Sequence, residues 1–499
     1  MNRPLRRLAV AGLLLLAALL ANANWVQVLH AKTLNAAATN PRPLFQRFAR
    51  DRGDIRLADG TVIASSTREP DGRTFRRGYP SGDPNEYAAV TGWAGVASTS
   101  GLEKAGDPLL SGTDDRLAFS NFTDTVLGRQ QAGGYIVTTL DKGAQDAAWQ
   151  GLRAAGKKGA VVALDVKTGA VLALVSTPSF DPSPLASRDP AAVQKAYDGL
   201  LKRDDGPLLD RATQATYPPG SFFKVVTSAA ALAAGRTPDT VIKSPQRLKL
   251  PLTTSFLNNF GGETCGADQV PLKQALKISC NTAFAQLGLD LGADRLRAQA
   301  QAFGIGMTVP GFPLPGNASS FPAKVDQPQT ALSAIGQYDV RLTPLQAAMI
   351  VQSIAAGGTE LAPYLVAEEH APDGSTFPLP QPRRLGQPVD ARVAADLKTM
   401  MTAVVAEPGG TANPSIEALR GLPAAGKTGT AQHATGKPPH AWFGGFAPLD
   451  DPRVAVAVIV EDGGNAGSDA TGGGTAAPIA FAVLHAAVCG RAPVPAGCS

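Results

Sequence analysis

The chain has 499 residues, enough for two or three domains, and its 44% hydrophobic content with 53 glycines and 40 prolines fits a globular protein rich in turns. The formal net charge is +5, yet no dense lysine and arginine run with interleaved aromatics occurs, which argues against nucleic acid as a partner. A mild positive balance of this size suits an anionic envelope.

The first residues, MNRPLRRLAVAGLLLLAALLANANWVQVLHA, place Arg3, Arg6 and Arg7 before an apolar stretch from Leu8 to Ala21. Tolerating Asn22 and Asn24, the stretch runs to Leu29, close to the ~20 residues a spanning helix needs. The flanking arginines predict a cytoplasmic N-terminus and an exported remainder. A cleaved signal peptide is the competing reading, because Ala21-Asn22-Ala23 resembles a small-residue cleavage site; Trp25, Val26, Val28 and Leu29 prolong the apolar segment and favour an uncleaved anchor over residues 1–31.

Residues 32–138 are polar and turn-rich. Short alternations such as GDIRLADGTVIASS predict strands, with Asp59-Gly60 as a hairpin turn. This is a separate β-containing module in which no catalytic cluster stands out. From residue 139 to 499 the pattern becomes that of a larger domain. GAVVALDVKTGAVLALVSTP predicts two strands around a tight turn, and helical patterns follow near 221–234, 270–278, 281–289 and 343–356. AWFGGFAPLDDPRVAVAVIVED predicts a second hairpin turning at Asp450-Asp451-Pro452, then a glycine-rich loop at 463–474 and an apolar helix at 476–488. Antiparallel hairpins at both ends with helices between them predict an α+β sandwich around one sheet.

Within this domain, YPPGSFFKVVTSAAALAAG sets one cation, Lys224, inside an apolar helix. One reading is a core helix capped by Ser221, with a lysine that snorkels. The other uses the i, i+3 spacing, which brings Ser221 Oγ and the Lys224 amine to one face. Burial disfavours the ammonium, and a neutral amine beside a hydroxyl is a general base beside a nucleophile. That second reading needs partners. Ser279-Cys280-Asn281 and Lys427-Thr428-Gly429-Thr430 supply them, in the order expected of a nucleophile helix, a middle element and a strand motif.

Two look-alikes are set aside. Lys167-Thr168-Gly169 lies between two strand-like runs and reads as a turn. Gly421 to Thr428, GLPAAGKT, matches a phosphate-binding loop, but Pro423 lies inside it and Gly429, Gly436, Pro438 and Pro439 follow, so no helix can start there. The five histidines form no ligand-spacing motif, and no metal or cofactor is expected. The four cysteines, Cys265, Cys280, Cys489 and Cys498, allow three pairings. Loop length favours Cys265–Cys280 and Cys489–Cys498 in an exported chain, with free thiols as the alternative; closing a loop of about 15 residues contributes roughly 3 kcal/mol.

Taken together, these motifs resemble the class B penicillin-binding proteins, and within them the penicillin-binding protein A group. RGDI at 52–55, GLE at 101–103, TTLDKGAQ at 138–145, ATYPPGSFFK, ISCNTAF, TPLQAAMI at 343–350, AGKTGTAQ and AWFGGFAP carry the likeness along nearly the whole chain. Cys280 departs from many relatives in the middle of the Ser-x-Asn element, which leaves Ser279 and Asn281 intact and makes a nearby disulfide more plausible.

The resemblance implies a serine transpeptidase fold on a non-catalytic pedestal or dimerisation-like module. It implies that Ser221 is acylated by stem peptides ending in D-Ala-D-Ala and by β-lactams. Lys224 would be the base and Ser279 a proton relay. Asn281 would bind substrate backbone; Lys427, Thr428 and Thr430, beside Gly429, would hold the terminal carboxylate. The N–H groups of Ser221 and Thr430 would form the oxyanion hole. A β-lactamase is disfavoured, because class A enzymes deacylate with a glutamate and no Glu occurs between Glu263 and Glu360. A D,D-carboxypeptidase, a β-lactam or wall-fragment sensor and a non-catalytic scaffold remain as rival readings. With no glycan-polymerising domain in view, a separate wall glycosyltransferase is an expected partner.

Overall fold

The computed structural model describes residues 3–30, 34, 48–96, 98–156, 158–379, 382–495, 497 and 498, so the boundary expected between residues 31 and 32 lies outside them. Helix α1 (Arg3–Asn24) continues into a wider turn over Trp25–Leu29 and buries none of its residues. Arg3–Gln27 is long and apolar enough to cross a bilayer. Gly472–Cys489 passes the same test of length and composition, but 61% of its apolar stretch is buried and it packs inside the C-terminal domain.

In the N-terminal module, β1 (Ile55–Arg56) and β2 (Val62–Arg68) form the hairpin expected at Asp59-Gly60, with Gly60 at φ +87°. Strand β3 (Phe75–Gly78), helices α2 (Pro84–Thr91), α3 (Gly101–Ala105) and α4 (Ala118–Val126), and β4 (Tyr135–Thr138) follow. The sheet has six strands. Two of them, Val366–His370 and Thr376–Phe377, come from far later in the chain and extend it beside β4.

This module is built around one buried carboxylate. Glu103, fully buried on α3, accepts from Arg52 Nε at 2.6 Å and Arg77 Nε at 2.5 Å, while Arg52 also donates to Asp107 Oδ1 at 2.6 Å. Burial pushes the Glu103 carboxyl up, but Arg77 and then Arg52 overcome it and hold it below its ordinary value. The RGDI and GLE motifs are therefore two sides of one ion cluster.

Helix α5 (Lys142–Ala154) is capped by Asp141, whose Oδ1 accepts from Ala144 N at 2.8 Å. Its buried Gln145 donates to Glu86 O at 3.2 Å and Leu174 O at 3.1 Å, and accepts from Leu174 N at 2.9 Å, tying the module to the second domain.

That domain is centred on an antiparallel sheet of five strands: β5 (Gly159–Asp165), β6 (Val171–Thr177), β7 (Ala425–Ala431), β8 (His440–Ala447) and β9 (Val454–Val460), in the order β7-β8-β9-β5-β6. Their side chains are buried almost without alternation, because helices cover both faces. Helices α5 and α10 (Ala477–Cys489) lie on one face. On the other, α8 (Pro344–Ala355) and α9 (Ala391–Ala406) pack on the sheet and on each other, with α6 (Lys224–Ala233) against α9 and α7 (Asn281–Leu291) against α6. This is the α+β sandwich that the sequence predicts. Disulfides join Cys265 to Cys280 and Cys489 to Cys498.

Both look-alike motifs take ordinary roles. Lys167-Thr168-Gly169 is the β5–β6 turn, held by Asp165 Oδ1, which accepts from Lys167 N at 3.0 Å and Thr168 N at 2.9 Å. The residues after Gly426 continue as strand β7, where a phosphate loop would start a helix.

Replacing Glu103 with Gln takes the carboxylate from buried Arg77 and leaves Arg52 with Asp107 alone. It is expected to destabilise the module by about 3–5 kcal/mol, seen as a lower midpoint in chemical denaturation.

Candidate active site

Three segments meet in a cleft of about 770 Å³ lined by Ser221, Ser279, Asn281, Thr428 and Thr430. The first is a tight turn, Gly220–Phe223, that runs straight into α6. Ser221 lies inside this turn and caps nothing, a departure from the capping expectation: Pro219 takes the cap position and makes no side-chain cap bond. The turn is pinned from below. Phe222 and Phe223 are fully buried, Phe222 stacks on Trp442 with ring centroids 6.3 Å apart, and Trp442 Nε1 donates to Pro218 O at 3.0 Å.

Two glycines let the turn touch the edge strand β7. A Cβ on Gly220 would lie 2.6 Å from Thr430 O, and one on Gly429 would lie 2.7 Å from Pro219 O. Gly220 also has φ +52°, so it is required twice over. Thr428 and Thr430, two residues apart on β7, face the cleft together.

The middle segment ends the short helix Leu272–Lys277 and begins α7. Ser279 is held at φ +62°, a left-handed conformation that serine seldom adopts. This bend aims its hydroxyl between two fully buried amines. Lys224 Nζ lies 3.2 Å from Ser279 Oγ and donates to Ser279 O at 2.6 Å and Asn281 Oδ1 at 2.7 Å. Lys427 Nζ lies 2.9 Å from the same Oγ and 2.9 Å from Thr428 O. Burial, then the Lys427 charge, pushes the Lys224 amine well below its ordinary value. Burial alone brings Lys427 down to about 7. Among the described residues Lys224 makes no hydrogen bond to Ser221 Oγ; its amine is engaged by Ser279 and Asn281.

Several residues of the site carry no sequence signal. Asn259 Oδ1 accepts from Asn281 N at 2.9 Å and Thr282 N at 3.0 Å, and so caps α7 from another segment, since Cys280 at the cap position makes no side-chain cap bond. The Cys265–Cys280 disulfide ties this loop to the middle segment. Thr411 Oγ1 lies 2.6 Å from Thr428 Oγ1. Gly472, in the glycine-rich loop, presses on β7: a Cβ there would lie 2.6 Å from Gly429 O. The disulfide is the pairing that loop length favours; the other contacts join residues more than ten positions apart, and no spacing rule reaches them.

His433, His440 and Asp462 gather beside the β7–β8 turn with their ligand atoms within 4.8 Å of one another. The two imidazoles stack almost parallel, 10° apart with centroids 3.9 Å apart, so their in-plane lone pairs do not converge on one point. Asp462 serves them as a polar partner, 3.1 Å from His433 Nε2.

Removing the Asn259 cap by Asn259→Ala is expected to cost about 1 kcal/mol of stability. It should also speed amide exchange at Asn281 and Thr282, whose N–H groups lose their acceptor; denaturation and hydrogen exchange measure the two effects.

Residues 159–485 match the model of the penicillin-binding protein transpeptidase domain, and residues 52–136 match that of the penicillin-binding protein A dimerisation domain. The chain is 44% identical to the peptidoglycan D,D-transpeptidase PbpA of Mycolicibacterium smegmatis, over 98% of this chain and 99% of that protein. It is 42% identical to PbpA of Mycobacterium tuberculosis, over 98% and 100%. The solved structure of penicillin-binding protein A from M. tuberculosis, a ceftriaxone acyl-enzyme complex, superposes with a TM-score of 0.84 at 41% identity, covering 89% of this chain and 100% of that one. On the matched fold, the ordered motifs and this similarity along nearly its full length, the chain belongs to the penicillin-binding protein transpeptidase family.

Proposed function

We propose that the protein is a peptidoglycan D,D-transpeptidase that cross-links stem peptides through an acyl-enzyme on Ser221 and is acylated there by β-lactams. The observation that carries this reading is the placing of Ser279 Oγ between two buried lysines at the mouth that Ser221 shares. The named activity of the two mycobacterial relatives supports it.

In this reading Ser221 Oγ attacks the carbonyl of the penultimate D-Ala, and its proton passes to Lys224. A neutral amine has two protons to donate. The short contacts to Ser279 O and Asn281 Oδ1 use both, which leaves a lone pair for the proton of Ser221 once substrate tightens the site. Lys427 adds a positive charge that helps keep Lys224 neutral. As the tetrahedral adduct collapses, the carbon–nitrogen bond to the terminal D-Ala breaks and Ser279 relays the proton to the departing amine. The N–H groups of Ser221 and Thr430 stabilise the oxyanion; one such donor is worth ~2.7–4 kcal/mol of barrier. Asn281 binds substrate backbone, and Lys427, Thr428 and Thr430 hold the terminal carboxylate, with Gly429 allowing the strand to approach the turn. An amine of a neighbouring stem then takes the acyl group, restoring Ser221.

Helix α1 anchors the enzyme once in the membrane, N-terminus in the cytoplasm, with the catalytic domain outside. The two matched domains cover 52–136 and 159–485, and neither polymerises glycan, so a separate wall glycosyltransferase is the expected partner.

A fluorescent penicillin should form a slowly hydrolysed covalent adduct with the full chain and none with Ser221→Ala. Persistent labelling of the variant would refute the nucleophile, and rapid turnover of the adduct would make the protein a hydrolase. The acylation rate should be bell-shaped in pH. It falls at low pH as Lys224 gains the proton that its buried position resists. It falls again above about 7 as Lys427 loses the charge that draws the carboxylate. Lys427→Arg, which cannot lose its proton in this range, should remove the alkaline limb.

A further inference from the structure

Helix α4 (Ala118–Val126) presents an apolar stripe to its surroundings: Phe119 is 83% exposed, Phe122 67%, Val126 68% and the following Leu127 57%. Positions 119, 122 and 126 lie on one helical face. A cluster of four large apolar side chains so bare is unusual on a soluble surface and marks a place of contact. The opposite side is turned inward by polar bonds. Asn121 Nδ2 donates to Gly112 O at 2.9 Å, and Gln131 Nε2 donates to Asn121 O at 3.2 Å.

The place of the helix in the molecule says what the stripe meets. Just beyond it, Gln130 Nε2 donates to Ala49 O at 2.9 Å, and Asp51 bridges to Ala132. Ala49 lies near the point where the chain enters the module, so the stripe stands beside the entry of the chain that comes from the apolar helix α1. Eighteen residues, 30–47, separate Leu29 from Phe48, a reach of at most about 60 Å. Arg50, Arg68 and Arg129 stand at this same end, with Arg68 Nη2 donating to Gln130 Oε1 at 2.7 Å, while Asp51, Asp114, Asp115 and Asp124 are the acids in or beside these segments. Aromatic and aliphatic side chains on one face, arginines at the margin and a tethered bilayer together describe an interfacial helix.

We infer that α4 is a second membrane contact: its Phe119–Phe122–Val126–Leu127 face lies in the outer headgroup boundary of the bilayer that α1 spans, and holds the module at a set height and tilt. The inference rests on α1 being inserted. It adds that the pedestal lies against the lipid surface, a contact that α1 does not itself supply.

Site-directed spin labelling of the full chain in vesicles of three parts phosphatidylcholine to one part phosphatidylglycerol tests it. All four native cysteines are paired, so one introduced cysteine carries the label. Nitroxides are placed by Phe122→Cys, by Lys195→Cys as an aqueous reference and by Leu14→Cys within α1. The expected result is that position 122 loses collisions with a water-soluble nickel complex and gains them with oxygen, relative to position 195. Nickel access at 122 equal to that at 195 overturns the inference. Low access to both reagents at 122 also overturns it and assigns the stripe to a protein partner or a second copy. Position 14 separates the two readings, because a nickel-accessible label there shows that the anchor itself is not inserted, which removes the premise.

Discussion

Two lysine amines buried on either side of one serine hydroxyl are the constraint that the rest of the catalytic domain serves. An isolated buried ammonium is costly to desolvate, and two side by side repel. The domain meets this by supplying acceptors and by letting the amines give up charge. Lys224 is met by Ser279 O and Asn281 Oδ1, and Lys427 by Thr428 O, with Ser279 Oγ common to both. The same arrangement lowers the affinity of Lys224 for its proton, which suits it to the base role proposed for it.

The geometry comes at a local expense. A serine in the left-handed region costs on the order of 1–3 kcal/mol, and Ser279 is kept there by its surroundings. Cys280 N donates to Ala275 O at 2.9 Å behind it, and Asn259 and the Cys265–Cys280 bridge hold the start of α7 in front. On the other wall the absence of side chains does the positioning. Gly220, Gly429 and Gly472 let the turn that carries Ser221, the edge strand and the glycine-rich loop approach to backbone contact. Any methyl group there would force the turn, the strand and the loop apart.

The N-terminal module is joined to this domain by both chemistry and topology. Gln145 bonds to Glu86 on one side and Leu174 on the other, inside the interface. Strands Val366–His370 and Thr376–Phe377 cross from the second domain to complete the first sheet. These ties fasten the pedestal to β6 and to the segment that follows α8.

Much was legible in the order of residues. Apolar runs predict β5, β6, β8 and β9, because strands covered on both faces need no polar alternation. The long apolar start predicts α1; the spacing of Ser221 and Lys224 predicts a pair on one helical face, whereas the Lys224 amine is engaged by Ser279 and Asn281. The three catalytic motifs could be named because each is local, a few residues whose chemistry is carried by their types. What the order could not reveal was anything made by distant segments: the cap that Asn259 places on α7, the wall formed by Gly472, the two late strands in the N-terminal sheet and the stack of His433 on His440. It also pointed to Ser221 as a helix cap, whereas packing of Phe222 against Trp442 and Gly444 draws the turn tight and leaves Pro219 in that position. Local pattern determined which groups the protein has; the folded backbone decided which of them meet, because burial and contact depend on where the sheet and helices bring remote residues together.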